Sequence, residues 1–543
     1  MLKRVSLTAL ALAAICLPAM AQTTPDTLVV AQSVDVESLE PDMLNQSASL
    51  NVATALWGTL LSVTPDGEIV PNFAESYAWN DAGTEISFKI RPGLQCEDGE
   101  TLDAEDVAYS FTRAADPANK FIGHTPGFVY SSIGFVGARA DDATTAVMQV
   151  KGYSSTVPGM VAKILIHCKD SYEKLSVEQA AVAPVASGPY KLVEWVRADR
   201  VVLTRNDKWT MSEPAFENII FRVIPESSTR TAELLAGQVD IAVNIPPDQS
   251  EAINSSGQAK VMTVAGTRRM FAGFNFSGAF DGTPAGEAFK KVEVRQALNM
   301  AVDVPTICKQ LLGTECTRAN GPANLGDASI EPYPYDPDRA EAMLDAAGYP
   351  RGADGVRFTV EMQGPQGRYL QDGQVQQAIA QYLGDVGVQT TNDLMDMTVF
   401  SPMAREHRAG PMFFIGQGGA TWSAIYDMSL FPSRDAPVNT GNWYNAEWQK
   451  RWDSLSGIRD TVEERRIVDE MLKIFHDDAP WIFLYFQPDF YGVSDRVAWT
   501  PRRDEALDVW TATLKSPHET QTKRAGFHRP FFACWTGIRR ALR

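Results

Sequence analysis

Histidine is scarce in this chain, and its placement excludes several chemistries. Only six occur in 543 residues, and His518 and His528 lie in the final stretch. No Cys or His stands two residues from another, so neither a zinc knuckle nor a C-x-x-C redox pair has local support. The H-E-x-x-H, G-x-S-x-G and G-x-x-x-x-G-K-[ST] signatures are absent. One S-x-x-K occurs, Ser171 to Lys174, without the companion S-D-N and K-T-G boxes that serine acylation needs. Gly416 to Thr421, "GQGGAT", follows a strand pattern, but Thr421 stands at the third glycine position and no amphipathic helix follows. Beyond the first residues there is no long apolar run, so no second membrane-length segment is expected.

The amino terminus reads as an export signal. Lys3 and Arg4 precede an apolar run through Leu17, and Ala19-Met20-Ala21 closes it. That order predicts a signal peptide over 1–21, cleaved before Gln22. Cys16 follows Ile15, where a lipid-attachment site asks for a small residue. The formal net charge is −18. The leader carries two positive charges and 516–543 a surplus of five, so the remainder stands at −25. A body this acidic repels nucleic acid and anionic lipid. The basic tail, with its lone Cys534, matches the body in neither charge nor composition and reads as a disordered extension.

Four cysteines remain, Cys96, Cys168, Cys308 and Cys316. In an oxidising compartment they allow three pairings. Cys308 and Cys316, eight residues apart in "CKQLLGTEC", are close enough to bridge locally, which leaves Cys96 with Cys168.

Length predicts more than one domain, and the pattern alternates strands with helices. "TLVVAQSV" and "EISFKI" read as strands, and "NVATALWGTLL" as a helix. Asp103 caps a helix, with Asp106 as its reciprocal partner. "IIFRVI", "TRTAELLA" and "QVDIAV" form a strand-helix-strand crossover. "MFAGFNF", "GPMFFIGQGG" and "WIFLYF" add strands, the last followed by "YGVSDRV". Longer helices follow residue 290. The expected class is α/β in two lobes, with a ligand site in the cleft between them.

Seven segments in order resemble one family. They are "RPGLQCEDGETLDAEDV", "SGPYKLVEW", "RTAELLAGQVDI", "VRQALNMAVD", "YDPDRAEAMLDAAGY", "GRYLQDGQVQQAIAQYLGDVGV" and "DDAPWIFLYF". Together they are similar to the dipeptide/oligopeptide-type (family 5) solute-binding proteins of ABC importers. The resemblance implies a type II clam-shell periplasmic binding protein with an extra inserted subdomain in lobe I. Lobe I would be 22–273, with the insert at about 66–186; lobe II would be 274–486, and 487–515 would return to lobe I. The hinge would lie near Phe274–Phe276 and near Phe486.

The function this implies is capture of a peptide-like or other small, polar, carboxylated solute by lobe closure, and its delivery to permease subunits. The resemblance implies a periplasmic monomer with no catalytic residue, no cofactor and no resident metal. Arg368 stands where peptide-binding members grip a ligand carboxylate, beside Tyr369. The ligand loop that reads "GWTGD" in those members reads "GQGGA" here, so Gln417 and Ala420 replace the Trp and Asp. Without that Asp a free α-ammonium lacks its counter-charge, which favours a modified peptide, an opine-like conjugate or a sugar-like solute. Gln417 and Gly418 then offer hydrogen bonds, and Trp422 and Trp443 aromatic walls. The competing functions are an exported hydrolase or amidase with a cleft active site, and a chemoreceptor-type binding protein.

Overall fold

The two longest strands join distant parts of the chain and organise the rest. In the computed structural model, Ala259–Phe274 and Trp481–Ser494 pair antiparallel along most of their length. "WIFLYF" and the following "YGVS" are therefore one strand, continuous through Pro488. The structure describes residues 26–515, apart from 45, 66, 324–328, 419–422, 430, 432–433 and 435–437. The leader and the basic tail lie outside the described residues.

These strands sit at the centre of a ten-stranded sheet. On one side follow Met412–Gln417, Phe358–Pro365 and Val388–Met395; on the other Ile241–Ala242, Thr27–Gln32, Asn218–Val223, Arg200–Arg205 and Tyr190–Val196. Thr27–Gln32 lies parallel between Asn218–Val223 and Ile241–Ala242, so the expected crossover exists, with the first strand of the chain threaded into its middle. A separate antiparallel sheet runs Ala74–Trp79, Glu85–Ile90, Thr145–Val150, Phe135–Asp142.

The apolar residues pack into distinct cores, as two lobes require. One contains residues from Met270 to Phe486. Two lie on the other half of the large sheet, around Trp57 and Phe221 and around Leu234 and Phe490. A fourth fills the region from Leu60 to Cys168, with Tyr426 reaching in from the far lobe. That fourth region carries helix Ala104–Ala115. Asp103 accepts from the Glu105 N–H at 2.7 Å, and the Asp106 carboxylate from the Asp103 N–H at 2.7 Å, which is the expected reciprocal cap.

Both local and distant cysteines pair as read from the sequence. Cys96–Cys168 closes 72 residues with Cα atoms 6.2 Å apart, and Cys308–Cys316 closes 8 with 5.8 Å. Near the first bridge, Glu40, Asp42 and His167 form a buried trio, but the Arg113 guanidinium fills its centre, 2.7 Å from Glu40 and 2.6 Å from Asp42. Burial holds the His167 imidazole well below its usual range, with Arg113 adding to that, so it is neutral. The cluster is a structural tie between the insert and the first lobe.

The lobes also touch at their lips. Arg459 donates to the Asn80 and Asp81 carbonyls at 2.7 and 2.9 Å and lies 5.2 Å over the Tyr153 ring. Tyr153 in turn meets Trp79 edge-on at 4.9 Å. Among the described residues no helix is long and apolar enough to cross a membrane.

Loop-closure entropy ranks the two bridges. Replacing Cys96 and Cys168 by Ala should cost about 4 kcal/mol, and Cys308 and Cys316 about 2.5 kcal/mol. Urea unfolding of the two double variants checks both the sizes and their order.

Candidate functional site

The long ladder loses register twice near mid-length, between Ala265 and Arg269 and again between Arg269 and Phe271. Ala265 faces Pro488 and Arg269 faces Phe486, so 266–268 bulge opposite Gln487 alone. Gly266 is required there: a Cβ would stand 2.5 Å from the Gln487 carbonyl oxygen and 2.7 Å from Asp489 Oδ2. The bulge divides strand residues of the core that begins at Met270 from those of the cores that hold Ala259 and Val264, upstream of the Phe274–Phe276 position expected for the hinge. The phenylalanines lie beyond it, Phe274 within the core of the second lobe and Phe276 packed against that core.

Two adjacent arginines leave the bulge toward opposite lobes. Arg268 grips Glu505, from the segment returning to the first lobe, with Nε and Nη2 donating at 2.8 and 2.9 Å. Glu505 is carried in by a turn with φ of 63°. Burial opposes both charges, yet each outweighs that for the other, so Arg268 is held above its ordinary value and Glu505 below. Arg269, 1% exposed, donates to Asp427 at 3.2 Å and to the Gln417 side-chain oxygen at 3.2 Å. Gln417 gives its own N–H to the Val438 carbonyl at 2.8 Å.

Above the bulge lies the loop bearing Arg368 and Tyr369. Its backbone is pinned by the Asp372 carboxylate, which accepts the N–H groups of Gly367, Arg368 and Tyr369 at 2.8–2.9 Å. The next residue, Leu370, gives its N–H to Gln487 Oε1 at 3.1 Å, tying the loop to the second hinge strand. The Tyr369 hydroxyl donates to the Gly416 carbonyl at 3.1 Å. Its ring has Arg368 at 5.2 Å and Arg268 at 5.8 Å.

The three cations differ in one respect. Arg268 and Arg269 are each neutralised by a carboxylate. The Arg368 guanidinium makes no hydrogen bond or ion pair among the described residues, and Asp372 takes only its backbone N–H. Although solvent reaches it, the surrounding protein and then the neighbouring Arg268 charge depress its pKa.

Of the residues expected here, Arg368, Tyr369, Gln417 and Gly418 converge around the two hinge arginines; a Cβ on Gly418 would come within 3.4 Å of Arg268 Nη2. Gln417 binds Arg269 and a backbone carbonyl, not the open cleft. Trp443 corrects the expectation of an aromatic wall: it is 4% exposed in the second lobe's core, against Phe475 and Trp448, with its N–H given to Asp478 at 2.7 Å. Ala420 and Trp422 lie outside the described residues. Ser171 gives its hydroxyl to Asp98 and Glu100, far in sequence from the cleft loops. Sequence reasoning missed Arg268, Arg269, Asp427, Asp489 and Glu505. The available signal was "GTRRM", two adjacent cations directly before the apolar run "MFAGF".

The sequence profile of bacterial extracellular solute-binding proteins, family 5, matches residues 68–439. The chain belongs to this family. The glutathione-binding protein GsiB of Escherichia coli K12 is 26% identical over 493 residues, covering 88% of this chain and 92% of that one. The substrate-binding protein CtaP of Listeria monocytogenes, an ABC transporter component, superposes with a TM-score of 0.78 at 20% identity, over 90% of this chain and 99% of its own. AgaA of A. tumefaciens R10, solved with agropinic acid, gives 0.74 at 22% identity, over 91% and 99%. This family 5 chain is thus a substrate-binding component of an ABC transporter with a two-lobe fold.

Breaking the hinge ion pair leaves a charge stranded. Glu505→Gln should lower unfolding stability by about 3 kcal/mol, and Arg268→Met with Glu505→Leu should recover most of it. Urea denaturation of the single and double variants tests both statements.

Proposed function

We propose that this chain is an exported, periplasmic capture protein that closes its lobes on a small carboxylated solute and presents the closed form to a permease. The single observation carrying this is Arg368. Its backbone is fixed, an aromatic ring lies beside it, and it alone of the three cleft arginines has no protein carboxylate. A planar guanidinium in that state suits a bidentate carboxylate.

The relatives support a peptide-like or opine-like ligand. One is named for glutathione, which carries carboxylates, and another was solved with agropinic acid. The solute favours closure because it touches both lobes, so its affinity differs between the open and closed forms. Cleavage before Gln22 would release the mature chain. One lobe would run to the bulge at 266–268 and resume after Gln487, with an insert at about 66–186. The second would occupy the sequence between, a shift on the first strand from the 273/274 boundary read from sequence.

Mass spectrometry of solutes released from purified protein should find an organic acid. Arg368→Ala should weaken that acid by about 30-fold, equivalent to about 2 kcal/mol, while the apo protein keeps its thermal midpoint. Calorimetric titration that gives equal affinities for the two proteins rules Arg368 out as the anion receptor.

A further inference from the structure

Beneath the Arg268–Glu505 pair is a second acid. Asp489 lies on the strand Trp481–Ser494, opposite Val264 at the edge of the bulge. It is 8% exposed, and its Oδ2 accepts no hydrogen bond. Arg268 gives its Nε and Nη2 to Glu505. Two carboxylates therefore share one arginine. Arg368 attracts Glu505 only from a distance, without a hydrogen bond or ion pair, and is not among the groups that act on Asp489.

The remaining groups facing Asp489 are few. From its own strand come the Gln487 amide and the Tyr491 hydroxyl, from the bulge Arg268 and the bare Gly266 backbone, and from the return segment Glu505. None is a second cation. Gln487 also accepts the Leu370 N–H, so one side chain spans from Asp489 to the loop that bears Arg368.

We propose that Asp489, with Glu505 beside it, receives a cationic group of the solute, so that the cleft selects zwitterions whose carboxylate goes to Arg368. This rests on the carboxylate reading above and adds the other half of the ligand. It also answers the loss of the acidic residue at Ala420: the counter-charge for an ammonium comes from the hinge strand instead of the glycine-rich loop. Burial, and then Glu505, push the Asp489 carboxyl well above its usual range, so without a cation it holds a proton. An arriving ammonium makes the ionised form the favoured one. The balance is then R–NH3+ plus Asp–COOH going to the ion pair plus one proton released to solvent.

The test uses full mature protein stripped of bound solute, with glutathione, alanyl-alanine and arginine as zwitterionic probes and the N-acetyl derivative of each as its partner. Wild type should bind at least one probe and prefer it to its N-acetyl form by about 10-fold or more, with about one proton released when titrations in phosphate and Tris are compared. Asp489→Asn should bring the two forms to within about 3-fold and abolish the proton release. The proposal is overturned if no zwitterion binds, if wild type treats the acetylated and free forms alike, or if Asp489→Asn leaves the preference intact. Arg368→Ala separates the two claims. Loss of both free and acetylated probes in that variant, with an unaltered preference in Asp489→Asn, keeps the carboxylate receptor and removes only the ammonium one. The wild-type proton count stands on its own should Asp489→Asn fold poorly.

Discussion

Everything in the molecule depends on one interrupted ladder. Two strands that are far apart in sequence pair on both sides of a three-residue bulge, so each half of their hydrogen bonding belongs to a different lobe. The break has to be short, since a longer gap would leave buried backbone groups unpaired. It also has to contain a glycine, because the backbone of Gln487 and the carboxylate of Asp489 press against Gly266. Local freedom sits where pairing is missing, and the lobes on either side are held by cores of their own.

The same joint concentrates charge. Adjacent residues on an extended strand point to opposite sides, so Arg268 and Arg269 reach acids in different places: Glu505 in the segment returning to the first lobe, and Asp427 after the glycine-rich loop. Burying ions is costly unless each finds a partner. That cost explains why these contacts are so closely matched, and why the two groups left out of the matching, Arg368 and Asp489, stand apart from structural pairs. The acidic surface outside the cleft plays no part in this; it is solvated charge.

Legibility in the sequence followed periodicity. The crossover, the capped helix at Asp103, the helices after residue 290 and the Cys308–Cys316 bridge were readable because each is specified by local pattern or short spacing, and Cys96–Cys168 followed as the pair left over. The loop with Arg368 and Tyr369 was found through family resemblance. Glu505 and Asp489 were not found, since a carboxylate that meets a partner 237 residues away carries no local mark. Trp443 was misplaced for a related reason: an indole looks the same in sequence whether it faces a ligand or, as here, Phe475. The hinge expectation at Phe274–Phe276 followed the apolar run "MFAGFNF", which begins only after the bulge has ended.

The lip contact has a consequence for watching the protein work. Arg459 reaches across the cleft mouth to main-chain oxygens, which are present whatever side chains stand at 80 and 81, so the grip tolerates sequence drift on that edge. The ring beneath it, Tyr153, leans on Trp79. An indole emits according to what crowds it, and the approach of a guanidinium to its neighbouring ring changes that crowding. Trp79 is thus a native optical gauge of the contact that joins Arg459 to residues 80 and 81.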